Sequence, residues 1–345
     1  MKEIYFVVLC HLLLVTSCVS HKMSNYSEID CENPILKNLQ EITVCSSDLI
    51  YGNPYQMKVA DSLLLIVDKW NDHLLTVINR NTNELCGRYL PIGRGPGEVL
   101  PPILIEYQND SIYVLERQTF SGRITVWAIR DLLSNGYKKN RVFYLPKTRR
   151  IVGTETGFIT SGAFEDNLLH EYNASNDSLY LNCNFYPDFL AESQEIAKRY
   201  YVGQGSISFQ NTTLALTYDY LGEIRFYSKN DSGYILNNSY TIGSSQAIRN
   251  RVEQGNFKIQ RNDPIYFAFN GISASKDAFY ILLEKDISDQ TVEKNCTLLK
   301  FDLSGAFIDS YRLDKRILCF TVTPDNILYA ITSTGESPVL SKVQL

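Results

Sequence analysis

A unit of three strands returns six times along the chain, and this repetition restricts the fold more than any other property. Each unit reads as a strand, a short polar turn, an apolar second strand, a polar loop and a third strand of alternating pattern. The second strands are the clearest landmarks, at residues 63–67, 112–115, 157–161, 213–217, 278–283 and 327–331. They follow Asp61-Ser62, Asn109-Asp110, Glu155-Thr156, Gln210-Asn211, Lys276-Asp277 and Asp325-Asn326, pairs rich in side chains that accept turn geometry cheaply. Third strands follow at 74–78, 124–128, 168–172, 223–227, 297–301 and 339–343.

The second strands recur at intervals of roughly 45 to 65 residues. Four-stranded propeller blades take about 40 to 50 residues, so the longer intervals contain insertions. A β-sandwich does not account for a three-strand unit of constant order. The expected fold is therefore all-β, a six-bladed β-propeller over residues 34–345. The last unit stops at Leu345 without a fourth strand. Residues 39–44 (LQEITV) alternate and are expected to supply it, which would close the ring and remove two open sheet edges. Two segments break the period, 189–201 (FLAESQEIAKRYY) and 246–254 (QAIRNRVEQ). Both read as short helical insertions between one blade's last strand and the next blade's first.

Composition agrees with this class: 23 Tyr and 16 Phe in a chain that is 44% hydrophobic favour strands over helices. A net charge of -5 with no Lys/Arg block excludes a nucleic-acid backbone as partner. At the N-terminus, Lys2 precedes an apolar run over 4–15, too short to cross a hydrocarbon core of about 30 Å as a helix. The run ends in Val15-Thr16-Ser17-Cys18, which resembles a bacterial lipobox. The expected organisation is a signal peptide over 1–17, a lipidated Cys18 and a tether over 18–33. The membrane would then be met only through that lipid. An ordinary secretory signal cleaved near Ser17 is the other reading. Cys31, Cys45, Cys86, Cys183, Cys296 and Cys319 show neither CxxC nor metal-ligand spacing and read as buried free thiols.

The run Gly93-Arg94-Gly95-Pro96-Gly97-Glu98, followed by Pro102 and Asn109-Asp110, together with Asp61-Ser62-Leu63-Leu64 and Thr76-Val77-Ile78-Asn79, carries a family likeness. It resembles the six-bladed β-propeller lipoproteins of Bacteroidetes-type bacteria, described as TolB-like and distantly similar to NHL repeats. The resemblance covers residues 50–130 by motif and the remainder by architecture. It implies a lipid-anchored propeller in the cell envelope, in a family mostly without an assigned activity. The third and fourth units lack the glycine-rich corner, so no family site carries over to them.

The same corner resembles a phosphate-cradling loop, but Pro96 removes a donor, no Lys-Ser/Thr follows and no helix starts there. It reads instead as a tight bend with glycines at positive φ, from which Arg94 and Glu98 project or pair. Four His are present, two of them (His11 and His21) outside the propeller. HExxH, GxSxG and calcium-loop patterns are absent, so no catalytic residue, metal site or cofactor is assigned.

Strand alternation sends the second-to-third loops and the blade-to-blade loops to one face. There the first unit carries Trp70, Asp72 and His73, and the corner adds Arg94 and Glu98. The second and third units carry Arg117, Phe120 and Phe164, and the fourth carries Tyr218, Asp219 and Tyr220. Aromatics interleaved with carboxylates on a rim suit a carbohydrate or a peptide or protein ligand, unless these rings cap the blade core. Two alternatives stand beside a binding module: a carboxylate-based hydrolase or lyase acting on glycans or lactones, and a structural scaffold of an envelope assembly.

Overall fold

The turns that mark the repeat owe their sharpness to side chains that tolerate left-handed backbone. Asp61, Asn109, Asp110, Asn211 and Asn326 lie at φ of 50°, 49°, 55°, 55° and 60°. Each closes a hairpin between a first and a second strand. A computed structural model describes residues 27–29, 34–44, 51–117, 122–134, 141–162, 164, 167–173, 178–180, 205–219, 222–242, 268–284, 296–333 and 337–345. Its strands form six sheets of four or five strands each.

Three short strands come first: β1 (Ser27–Glu28), β2 (Ile35–Lys37) and β3 (Gln40–Glu41). Blade one is β4 (Pro54–Ala60), β5 (Leu63–Trp70), β6 (His73–Asn79) and β7 (Glu84–Pro91). Blade two is β8 (Ile103–Gln108), β9 (Ser111–Glu116), β10 (Arg123–Ala128) and β11 (Arg141–Tyr144). Blade three is β12 (Thr148–Thr154), β13 (Gly157–Gly162), β14 (Leu169–Asn173) and β15 (Ser178–Tyr180). Blade four is β16 (Ile207–Gln210), β17 (Thr213–Tyr218), β18 (Glu223–Asn230) and β19 (Gly233–Thr241). Blade five is β20 (Ala268–Ala274), β21 (Ala278–Glu284), β22 (Cys296–Asp302) and β23 (Phe307–Leu313). Blade six has β24 (Arg316–Val322), β25 (Ile327–Ser333) and β26 (Pro338–Gln344).

The expected second and third strands all form, one or two residues longer at most ends. A blade is covered on both faces by its neighbours, which is why its second strand is a continuous apolar run; Leu64 to Val67 are all fully buried. Core clusters fill the gaps between blades one and two, two and three, four and five, five and six, and six and one. The first strands β4, β8, β12, β16, β20 and β24 stand side by side around a central channel, and β24 meets β4 to complete the circle. Side chains sew this inner ring together where no backbone ladder runs. Gln56 accepts from the Ile105 N–H at 2.8 Å and donates to the Ile105 carbonyl at 3.0 Å. The Tyr55 hydroxyl does the same with Ile103, at 3.1 and 2.9 Å.

Closure follows the expected route. β3 pairs antiparallel with β26, Gln40 opposite Lys342 and Glu41 opposite Ser341. The chain ahead of it contributes more than expected. β2 adds to the outer edge of blade five, parallel to β23, and β1 adds to blade four, parallel to β19. The segment read as a tether up to residue 33 therefore includes a strand, and one stretch of chain ties the outer edges of three successive blades.

The two helical insertions expected at 189–201 and 246–254 lie outside the described residues. The helix that is described, α1 (Ile129–Leu133), continues β10 and buries Leu132 against blades one and two. Cys296 and Cys319 are buried as expected, whereas Cys86 is exposed on the outer strand of its blade. Cys31, Cys45 and Cys183 lie outside the described residues.

Candidate functional site

The channel has two ends with different chemistry. The upper face carries the second-to-third and blade-to-blade loops; the lower face carries the hairpin turns. Much of the upper rim is committed to holding its own loops. The Asp68 carboxylate, ending β5, accepts from the Gly52 N–H at 3.0 Å and the Asn53 N–H at 2.7 Å, fixing the entry into β4. Burial raises its carboxyl above the usual range, and the two N–H groups and Arg88 oppose that rise. Glu116 ends β9 and is buried; it binds Arg123 at 2.6 Å and faces the Leu100 N–H at 3.4 Å. In blade four the Thr217 hydroxyl takes the same part, accepting from the Ser206 N–H at 2.8 Å. A polar side chain near the end of a second strand is thus a staple for the entry into its own blade's first strand.

The glycine-rich corner is another self-contained device. The Glu98 carboxylate folds back into its own loop and accepts from the Gly95 N–H at 2.6 Å. A Cβ on Gly93 would overlap that carboxylate, and one on Gly95 would lie 3.0 Å from it. The loop does cradle an anion, and the anion is its own side chain. Left-handed backbone explains only Gly97, at φ 84°; the glycines at 93 and 95 are needed mainly for room. Arg94 is exposed and, among the described residues, makes no ion pair with Glu98. The corner is tied to the rim by the Ile92 N–H, which donates to the Asp72 carbonyl at 2.7 Å.

The other expected site residues divide by burial. Tyr218 and Phe164 are buried, Phe164 stacking on the His170 ring with centroids 3.7 Å apart. Trp70 is half-buried, with the Arg88 guanidinium 5.2 Å from its ring centroid. Asp72 is exposed and contacts His73 Nδ1 at 2.7 Å, a bond that lowers its carboxyl pKa. Arg117 is half-buried, and its carbonyl accepts from Arg149 at 3.0 Å. Phe120 and Tyr220 lie outside the described residues.

Asp219 is the member of the set whose carboxyl feels a channel-lining residue, Arg150. Its carboxyl is surrounded by protein although the residue as a whole keeps some exposure. Desolvation raises its pKa to about 7, against the opposing pull of Arg150 and of the Thr217 hydroxyl at 3.2 Å. Arg150 belongs to β12, donates to the Gly205 carbonyl at 3.3 Å and lines a cavity of about 150 Å³ in the upper half of the channel. Tyr55, Gln56, Ser206 and Asn270 add polar groups to that wall, and Phe269, Ile272 and Phe320 add apolar ones. Arg150 was not among the expected residues; it sits in a first strand, where the repeat pattern reports only alternation.

The wider opening is on the lower face, opposite the one expected to bind. A cavity of about 570 Å³ collects the ends of the first strands of all six blades. Lys58 and Ile272 belong to the walls of both spaces, which follow one another along the channel. Among the described residues no group of His, Cys, Asp and Glu is arranged to hold a metal ion.

Six sheets of four or five strands around a channel, closed by an N-terminal strand on the last blade, define a six-bladed β-propeller. The sequence matches the TolB-like 6-blade propeller-like family over residues 36–325, and the chain belongs to that family. A Bacteroides fragilis protein described as exported is similar in structure, with a TM-score of 0.59 at 11% identity, over 92% of this chain and 97% of that one. A DUF4221 family member from Bacteroides vulgatus gives 0.58 at 10% identity, over 90% and 97%. U3-55K gives 0.54 at 8% identity, over 88% and 98%. These likenesses are of fold. No curated protein matches the sequence.

Proposed function

We propose that the protein is an exported, lipid-anchored binding module of the bacterial cell envelope that holds a carbohydrate or a peptide or protein partner on its upper face. Support for export comes from the apolar N-terminal run and Cys18. Support for the site comes from one observation: the Asp219 carboxyl, raised to about 7, lies within electrostatic reach of Arg150, which lines the upper half of the channel. Strongly perturbed carboxyls in a cleft mark functional sites more often than chance. Asp72, His73 and Arg94 extend the same rim with charged groups that water reaches.

The test is binding of the purified protein to glycan and peptide arrays, followed by titration of the best hit. Asp219→Asn and Trp70→Ala are expected to weaken it by about tenfold or more, the effect of losing one charge-assisted contact. No hit on either array, or unchanged affinity in both variants, defeats the upper-face reading. The same raised carboxyl favours a second reading, a hydrolase or lyase in which Asp219 donates a proton near neutral pH. Turnover of a glycan or lactone that disappears in Asp219→Asn would establish that reading instead.

A further inference from the structure

The lower mouth of the channel is built differently from the upper one, and its construction points to a particular ligand chemistry. Gln108, Thr154 and Gln210 occupy equivalent places in three successive blades. Each pairs across its hairpin in the closing position, with Ser111, Gly157 and Thr213 respectively. All three side chains line the lower cavity, so blades two, three and four present a crescent of amide, hydroxyl and amide. The facing wall, from blades five and six, is mainly apolar, with Ile272, Ala274, Val322 and Pro324 beside Ser273 and Thr321.

Most charged groups at this mouth are engaged by neighbours, and the exposed Glu155 on its lining disfavours an anionic ligand. Lys58 and Glu106, one step deeper in the channel, pair at 2.6 Å. Arg80 donates to the Asp61 carbonyl at 2.8 Å, and the Asp61 carboxylate accepts from the Tyr107 hydroxyl at 3.0 Å. The crescent, by contrast, holds acceptors without partners. Thr154 is 5% exposed, yet its hydroxyl has no hydrogen-bond partner among the described residues. The Gln108 carbonyl oxygen is in the same condition. Neither atom reaches the cavity surface as it stands, and a buried polar atom left unpaired costs about 1–3 kcal/mol, so turning either group toward the opening to meet a ligand's hydroxyl would recover free energy.

We infer that the lower mouth is a binding site for a short neutral oligosaccharide. A sugar ring offers hydroxyl edges to the polar crescent and an apolar C–H face to the opposite wall, and it carries no charge to disturb the paired ions. A cavity of about 570 Å³ falls in the range that encloses small ligands. The site is separate from the upper-face reading and does not depend on it.

The experiment titrates purified protein calorimetrically with short neutral gluco-, manno-, xylo- and N-acetylglucosamine oligomers, at low and high salt. At least one series is expected to bind, with little dependence on salt. Thr154→Val and Gln108→Leu are each expected to weaken binding by about tenfold, the value of one or two hydrogen bonds. Thr154→Val should not lower the thermal midpoint, because it removes an unpaired hydroxyl; a merely structural threonine would lose stability instead. Asp219→Asn should leave this affinity unchanged. The inference is overturned if no neutral oligomer binds, or if binding survives both lower-mouth substitutions. It is equally overturned if binding is lost only in Asp219→Asn, which assigns the sugar to the upper mouth, or if only acidic oligomers bind and salt displaces them.

Discussion

Replacing Gly93 by alanine puts a methyl group where the Glu98 carboxylate lies, and neither can leave without breaking the bond to the Gly95 N–H. Gly93→Ala should therefore cost about 1–3 kcal/mol, as overpacking does. Glu98→Ala should lower stability by less, and the double variant should recover much of the Gly93→Ala loss. Chemical denaturation of the three proteins measures the coupling, and simple additivity would contradict the steric account. Asp219 makes a second residue-level prediction. Its folded pKa of about 7 lies above the ordinary carboxylate value of about 4, so the folded state holds the proton more tightly. The associated stability is fully present below about pH 4 and is lost as pH rises through about 7. Asp219→Asn should match the native protein near pH 4 and exceed its thermal midpoint by a few degrees at pH 8. Equal midpoints at every pH would show that the carboxyl ionises freely.

Among elements, the hairpins and the two middle strands of each blade were legible in the sequence, because each is an apolar run bounded by Asp, Asn, Lys or Gly. The closing strand was legible because the last unit has three strands and residues 39–44 alternate. The ribbons β1 and β2 were not. Two- and three-residue strands show no period, and their partners Tyr240 and Tyr311 lie more than two hundred residues away. The rim carboxylates Asp68 and Glu116 showed their charge but not their target, since the N–H groups they face belong to another part of the loop system. Gln108 and Thr154 carried a usable signal, each standing just before its turn pair, whereas Gln210 read as part of its own turn and only the observed hairpin, which pairs it with Thr213, brings it into the same column. Trimming the chain tests the ribbons. Removal through residue 33 deletes β1 alone, and removal through residue 46 also deletes β2 and β3. The first truncation should lower the thermal midpoint by a few degrees, since about 1 kcal/mol moves it by roughly 2–4 °C at this size. The second should lower it several times further, and an unchanged midpoint would mean that the ring does not rely on this closure.

For the whole molecule, the ribbons determine where the N-terminal end emerges. Ser27 pairs with Tyr240 near the upper end of blade four, and Cys18 precedes it by nine residues. At about 3.3–3.6 Å per residue those nine span at most about 30 Å. On the lipid-anchored reading, the outer edge of blade four therefore stays close to the bilayer, and blade one lies across the ring from it. A fluorophore on Thr241→Cys should be quenched by lipid-borne quenchers more strongly than one on Asn83→Cys, a turn on the lower face of blade one. Equal quenching would exclude a fixed orientation. The ribbons also decide how the protein bears tension. A pull on the N-terminal end first loads β1, then β2, and only then the strand that closes the circle. Two short ribbons are thus stripped in sequence while the blades remain intact, so a molecule dragged by its N-terminal end lengthens in steps before its propeller opens.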